Sequence, residues 1–392
     1  MPYGDELTPE LIISKIRDVV GSENAKLHEP TFSNLEEEFV TKCIRSGYVS
    51  SVGSYVDEFE SRLQDFTGAR NVIAVVNGTS ALHLSLLLAG VKEKDEVIVP
   101  SLSFVATANA VSYLGATPHF VDCDEKNLGM SSNALKDWLQ NISEVSAGEC
   151  RNKITGKRIK AMVPMHALGH PCYMDELLQI AHDFRIQVVE DAAESLGSFY
   201  KDKHTGTLGL LGALSFNGNK IITTGGGGAI LTDNDEIAKQ ARHLSTTAKK
   251  DHAWEYFHDA IGFNYRMPNI NAALGCAQME NIKKLIEAKR KLYYAYKSSF
   301  SNINGLTVLG EPENCTSNFW LQAILLDNKF SYLKDEILKK TNFDGLMTRP
   351  LWKLIFKLPS YSYCPRSPTP VAEELEKNVI NIPSSAGIQW SI

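Results

Sequence analysis

The chain has 392 residues, with 40 Lys and Arg against 46 Asp and Glu, a formal charge of −6. Apolar residues make up 43% and charged residues 22%. That is the balance of an ordinary soluble globular protein, so a disordered or low-complexity chain is excluded, and without a basic excess a nucleic-acid partner is not expected.

In chain order, the first residues, MPYGDELTPE, lack the charged-then-apolar pattern of a signal peptide. Residues 8–21 read as a short helix: Thr8 can cap it, Pro9 suits its first turn, and Ile12, Ile13, Ile16, Val19 and Val20 recur on one face. A loop-like stretch leads to a second helix over residues 33–47, ended by Gly47. From about residue 54 short apolar runs alternate with helical patterns. The runs are Asn71–Val76, Glu96–Ser101, His119–Val121, Ala161–Met165, Ile186–Val189, Ala213–Phe216 and Ala229–Thr232, with helices such as Ser80–Ala89, Phe104–Tyr113 and Met174–Phe184 between them. Near-continuous apolar strands alternating with helices predict an α/β fold with a mostly parallel sheet covered on both faces. The uncharged stretch Val97–Pro118 contains Pro100, Asn109 and Gly115, so it reads as a buried strand–helix–strand unit, not a membrane span.

Pro268 opens a long helical pattern reaching about Phe300, followed by strand-like pieces at Leu306–Leu309 and Trp320–Leu326, a helix near 329–341 and a Pro-rich region at 359–370. Four units are expected: an N-terminal helical segment (1–53), a large α/β domain (54–267), a linking helix (268–300) and a small C-terminal α+β domain (301–392). Seven cysteines with no C-x-x-C pair predict reduced thiols with no disulfide framework and no metal site. A cytoplasmic location is expected.

Four segments carry residues suited to chemistry. In VVEDAAESLGS (188–198) an apolar strand ends in Glu190 and Asp191. Ligands of open α/β sheets bind outside the carboxyl ends of the strands, so a carboxylate there faces a ligand, or merely caps the next helix. In ALSFNGNKIITTGGGGAILTD (213–233), Lys220 is the only basic residue between Lys203 and Lys239. Partial desolvation would make its amine a usable nucleophile; a lysine on a surface loop is the plainer reading. The glycines at 225–228 can cradle a phosphate or make a hairpin turn. In VVNGTSALHLSLLLAG (75–90) the Thr79 and Ser80 hydroxyls and the free N–H groups of a first helical turn form a ready anion site, or an ordinary cap. Phe104, just past a strand end, can stack on a planar ligand or join the core. Together these supply a phosphate cradle, an aromatic face, a strand-end acid and a lysine, the parts that pyridoxal 5'-phosphate needs.

At this point a resemblance becomes specific. The segments VSSVGSYVDEFE, NGTSALHL, VPSLSFVATANAV, VPMHALGHP, VEDAAESLGS, SFNGNKIITTGGGGAI and GFNYRMPNINAALG, in that order over roughly residues 30–390, resemble the DegT-type sugar-nucleotide aminotransferases, which are fold-type-I pyridoxal-phosphate enzymes. The resemblance implies that Gly78, Thr79, Ser80 and Ser215 hold the cofactor phosphate and that Phe104 stacks on its ring. It further implies that Asp191 meets the ring nitrogen, that Glu194 lies near the ring oxygen and that Lys220 is the Schiff-base lysine. It also implies a homodimer with shared active sites, in which Asn264 reaches the phosphate of the neighbouring subunit. His166, Arg266, Arg349 and Trp352 are the candidate substrate contacts. Two positions depart from the family: Glu194 stands where Gln or His is frequent, and Gly226 replaces an acid.

The long N-terminal segment and MTRPLWKL (347–354) resemble a subgroup making 4-amino-4,6-dideoxy sugars on a nucleotide, typified by precursors of bacillosamine and legionaminic acid. The implied reaction moves the amino group of L-glutamate onto a UDP-linked 4-keto-6-deoxy sugar, with the pyridoxamine form of the cofactor as the intermediate carrier, for surface polysaccharide or glycan synthesis. The alternatives are a C3 aminotransferase on a 3-keto sugar nucleotide and a non-catalytic pyridoxal-phosphate-binding regulator. A related dehydratase branch with His at the lysine position is disfavoured by Lys220, and a nicotinamide enzyme by the lack of an early G-x-G-x-x-G.

Overall fold

The computed structural model describes residues 7–388; positions 1–6 and 389–392 of the expected terminal units lie outside the described residues. Helix α1 (Pro9–Val20) starts where the Thr8 hydroxyl accepts the Leu11 N–H and stops at Gly21, whose φ of +64° suits glycine. Helix α2 (Asn34–Ser46) carries a capping box: Ser33 N–H donates to Glu36 at 2.7 Å, and the Ser33 side chain accepts from the first turn. Helix α3 (Ser54–Thr67) was not predicted, although Val56, Phe59 and Leu63 have helical spacing.

The main sheet has seven strands: β1 (Asn71–Val75), β2 (Glu96–Pro100), β3 (Thr117–Val121), β4 (Ile159–Met162), β5 (Gln187–Asp191), β6 (Leu211–Ser215) and β7 (Gly228–Thr232). Their spatial order is β1-β7-β6-β5-β4-β2-β3. The pairs β6–β5, β5–β4, β4–β2 and β2–β3 are parallel, and β7 runs antiparallel to both β1 and β6. The carboxyl ends of β1, β5 and β6 therefore share an edge with the amino end of β7. Between strands lie α4 (Gly78–Leu88), α5 (Ala106–Tyr113), α6 (Ser132–Ile142) and α7 (Met174–Asp183), and α8 (Asp235–Ser245) follows β7. The uncharged Val97–Pro118 stretch is the unit β2–α5–β3. None of the described helices is long and apolar enough to cross a membrane.

The expected long helix is α9 (Asn269–Ser299). Beyond it β8 (Leu306–Val308), β9 (Gln322–Leu326), β10 (Arg349–Pro350) and β11 (Val379–Ile382) form an antiparallel sheet in the order β8-β9-β11-β10, flanked by α10 (Lys334–Phe343) and α11 (Pro370–Asn378). The apolar face of α1 joins this body: Ile12 and Ile16 are buried with Leu292, Tyr296 and Ile324. Burial at about 25 cal/mol per Å² is what fixes α1 there, and α9 bridges the two bodies.

Candidate active site

A cavity of about 350 Å³ opens at the shared strand edge. Its first wall is the β1–α4 junction. Asn77 caps α4 by accepting the Ser80 N–H at 2.8 Å, and Ala81 N–H returns to the Asn77 carbonyl. The amides of Gly78 and Thr79, both on the cavity wall, belong to the first turn and have no intrahelical partner. They point a positive helix end at the cavity. Ser80 is buried one residue further in and does not line the cavity.

Close backbone approach builds this wall. A Cβ on Gly78 would lie 2.8 Å from the Ser215 Cβ, and one on Gly228 would lie 2.5 Å from the Asn77 carbonyl carbon. Gly226, by contrast, has only the Val76 carbonyl oxygen near such an atom, at 3.9 Å, so no steric demand requires glycine there. Gly78→Ala is expected to cost about 1–3 kcal/mol of overpacking and to weaken binding of a phosphate-bearing ligand roughly tenfold, read by titration of the apo protein.

The floor is the end of β5. Asp191 is buried, its Oδ2 accepting the Thr107 hydroxyl at 2.7 Å and its Oδ1 the Ala193 N–H at 3.2 Å. Burial pushes its carboxyl upward, against the pull of those two donors and of Lys220. Glu194 follows in the tight turn after β5. Its Oε2 accepts the Leu168 N–H at 2.9 Å and its Oε1 lies 3.4 Å from Lys220 Nζ. Burial raises this carboxyl to about 7, the charge of Lys220 and the Leu168 amide opposing and Asp191 adding to the rise.

Lys220 follows β6 in a turn closed by its own N–H to the Asn217 carbonyl at 3.0 Å. Its Nζ sits 4.0 Å from the centre of the Trp320 ring, a cation–π contact. Trp320 is itself fixed, Nε1 donating to the Asn219 carbonyl at 2.6 Å and its backbone N–H to Asn318 Oδ1 at 2.8 Å. Asn318 also donates to the carbonyls of Glu194 and Leu196, each at 2.9 Å, stapling the two bodies together at the cavity. Phe104, half exposed at 52%, and Trp352 complete the rim.

Several sequence candidates lie elsewhere. His166 is fully buried beneath Asp191, its Nε2 at 3.0 Å from Glu190 and its Nδ1 accepting the Cys172 N–H at 3.1 Å. Both ring nitrogens are engaged, so the expected substrate contact is corrected to a strut under the floor. Glu190 receives three further donors, the amides of Gly206, Leu208 and Gly209, at 2.7–2.8 Å. Despite burial, the His166 ring and these amides hold its carboxyl below the ordinary range. Arg266 pairs with Glu60 and donates to the Ala74 carbonyl, away from the cavity wall. Arg349 is exposed on β10 and bonds Asn342 at 3.0 Å. Asn264 is exposed and also off the wall.

The sequence reading missed Trp320, Asn318, Asn217 and Asn219. It also missed His28, whose buried ring nitrogens have no partner among the described residues. Burial, then the charges of Lys289 and Lys220, hold that imidazole well below its usual range. Only the buried polar run Ser317-Asn318 before a strand offered a local signal.

Residues 30–390 match the DegT/DnrJ/EryC1/StrS aminotransferase family. The chain belongs to that family. GDP-perosamine synthase of Escherichia coli O157:H7 is 36% identical over 359 residues, covering 91% of this chain and 92% of that protein. GDP-perosamine synthase of Caulobacter vibrioides is 34% identical over 360 residues, covering 92% of each. Among solved structures, a DegT DnrJ EryC1 StrS aminotransferase from Brucella abortus superposes with a TM-score of 0.81 at 26% identity, over 90% of this chain and 91% of that one. This DegT-family member is a pyridoxal-phosphate-dependent sugar aminotransferase with the fold-type-I architecture. Its cavity suits that cofactor: a glycine-walled helix end for an anionic group, a buried acid and a neighbouring amine.

Proposed function

We propose that this enzyme transfers the amino group of L-glutamate to the keto carbon of a nucleotide-linked 4-keto-6-deoxy hexose, giving a 4-amino sugar nucleotide and 2-oxoglutarate for surface polysaccharide or glycan synthesis. The observation that carries the reading is the placement of Lys220, Asp191 and the Gly78–Thr79 amides on the walls of one cavity. Two relatives covering nine tenths of the chain are named for a GDP-linked product, so a GDP sugar is the first carrier to test. A UDP sugar is the second, favoured by the MTRPLWKL segment and the N-terminal helix.

In this reading Gly78, Thr79 and Ser215 would hold the cofactor phosphate, Asp191 would meet its ring nitrogen, Phe104 would cover one ring face, and Lys220 would be the amine that condenses with its aldehyde, with loss of water. Bound pyridoxal phosphate supplies an electron-withdrawing ring that accepts the pair left when an amino-bearing carbon loses its proton. Asp191, as a carboxylate, would hold a proton at the ring nitrogen, a charge-assisted bond worth about 1.5–3 kcal/mol. Once displaced from the aldehyde by the amino donor, Lys220 Nζ would be the base that moves the proton. General acid–base help of this kind contributes about 10²–10⁴ in rate. Trp320 restricts where the amine can sit, and the buried Glu194 offers it an acceptor. Exposed Asn264 and the exposed apolar side chains Trp254, Tyr256 and Ile261 on the preceding segment support a homodimer in which that segment approaches the second subunit's cavity.

The test is a mass-spectrometric screen of GDP-, UDP- and dTDP-linked 4-keto and 3-keto sugars with glutamate. A mass gain matching keto-to-amine exchange on a 4-keto sugar is expected. Amination confined to 3-keto sugars, or cofactor binding with no amination of any sugar, would refute the proposal in favour of a C3 enzyme or a regulator.

A further inference from the structure

We propose that Glu194 is the charge partner that governs the Lys220 proton: while ionised, its Oε1 holds the proton on Nζ, and when Oε1 itself accepts that proton the amine is freed. The geometry supports a carboxylate and not an amide at this position. Oε2 accepts the Leu168 N–H at 2.9 Å, and Oε1 lies 3.4 Å from Lys220 Nζ. Both partners are donors, since an ammonium has no acceptor. A glutamine in the same pose would satisfy one of them and turn its own N–H groups on the other. A carboxylate presents an acceptor to each.

The backbone is shaped for this contact. Leu168 is a non-glycine residue at φ +57°, a conformation that costs free energy and persists only when its surroundings impose it. Its N–H is delivered to Glu194. From the other side, Asn318 fixes the Glu194 carbonyl at 2.9 Å while also accepting the Trp320 N–H, and Trp320 confines Nζ from the face of its ring. Glu194 and Lys220 are thus each held by a separate element, with little freedom to separate.

The step is a proton transfer alone. One N–H bond of the Lys220 ammonium breaks, one O–H bond forms on Glu194, and no oxidant, reductant or further reactant is involved. Besides Lys220, the charged group facing Glu194 is Asp191 from the end of β5. A buried carboxyl so placed is within reach to accept the Nζ proton and give it back.

The inference rests on reading Lys220 as the reacting amine, but its test needs neither cofactor nor turnover. Apo protein is treated briefly with formaldehyde and cyanoborohydride, and methylation of Lys220 is quantified by peptide mass spectrometry from pH 5.5 to 8.5. An opposite charge within about 4–6 Å changes the balance between ammonium and amine by one or more powers of ten. At pH 8, where Glu194 is ionised, Glu194→Gln should therefore methylate at Lys220 about tenfold faster than wild type. The ratio should fall toward one at pH 5.5, where the wild-type Glu194 is protonated and, like the glutamine, carries no charge. Glu194→Asp, which keeps the charge, should stay nearer to wild type than Glu194→Gln does. The wild-type profile by itself should bend near pH 7, so the proposal stays testable if the glutamine variant does not fold. A ratio within twofold of one at pH 8, a ratio that does not vary with pH, or a wild-type profile without the bend would overturn it. Failure of the sugar screen with the methylation result intact would refute the substrate reading alone.

Discussion

Lys220→Ala is expected to lower turnover by more than about a thousandfold while the protein still folds. The rate loss follows from removing both the amine that bonds the cofactor and the group that moves the proton, effects typically worth about 10²–10⁴ for the acid–base part alone. The fold survives because little else depends on the side chain. Nζ makes one long hydrogen bond, to Glu194, and one ring contact, to Trp320. Trp320 remains anchored through Asn219 and Asn318, and Glu194, already raised to about 7 by burial, becomes protonated once its cation is gone. The measurements are single-turnover kinetics with glutamate, circular dichroism of the variant, and peptide mapping of borohydride-treated wild type, in which the cofactor mass should appear on Lys220. A variant within tenfold of wild type, or an adduct on another lysine, would remove the assignment on which the proposed reaction stands.

Asp191→Asn is expected to keep the cofactor bound and to lose about 10²–10³ in kcat, the cost typical of losing one preorganised electrostatic partner of a developing charge. The variant should fold, for a reason visible around the carboxyl. The Ala193 N–H can still be accepted by an amide oxygen, and the Thr107 hydroxyl, which sits 2.7 Å from Ser103 Oγ with either oxygen able to donate, can rotate to accept from the new NH₂. What the amide cannot do is hold a positive charge at a ring nitrogen. Cofactor titration by absorbance together with steady-state kinetics separates the two effects. Unchanged kcat would mean that Asp191 is a structural acid like its neighbour Glu190.

Those two neighbours show where sequence legibility ended. Glu190 and Asp191 are consecutive at the end of β5 and so point to opposite sides of the sheet edge. Periodicity marks the pair, but which member meets the cavity depends on what lies across the sheet. Glu190 finds His166 and three loop amides; Asp191 finds Thr107 and open space. His166 was misread for the same reason. A histidine after an apolar strand is compatible with a ligand contact or a buried pair, and its partner lies on a different strand.

The strands themselves were easy to read, because a strand covered on both faces must be apolar throughout. The antiparallel course of β7 was not, because direction is set by where a chain returns and not by its composition. Helix α3 carries Val56, Phe59 and Leu63 at helical spacing, a pattern diluted by Asp57, Glu58, Glu60 and Arg62 between them.

The sequence alone determined the α/β class and the segments bearing Gly78, Asp191 and Lys220, since strand ends and glycine-rich turns are set by local backbone preferences and by hydrophobic periodicity over a few residues; the family came from the resemblance of whole segments in order. Tertiary structure decided that Glu194 faces Lys220, that Trp320 and Asn318 from the small body close the cavity, and that His166, Arg266 and Arg349 are engaged elsewhere. Those pairings join residues far apart in the chain. They arise from strand order and from the packing of two bodies along α9, for which no short stretch of sequence carries a signal.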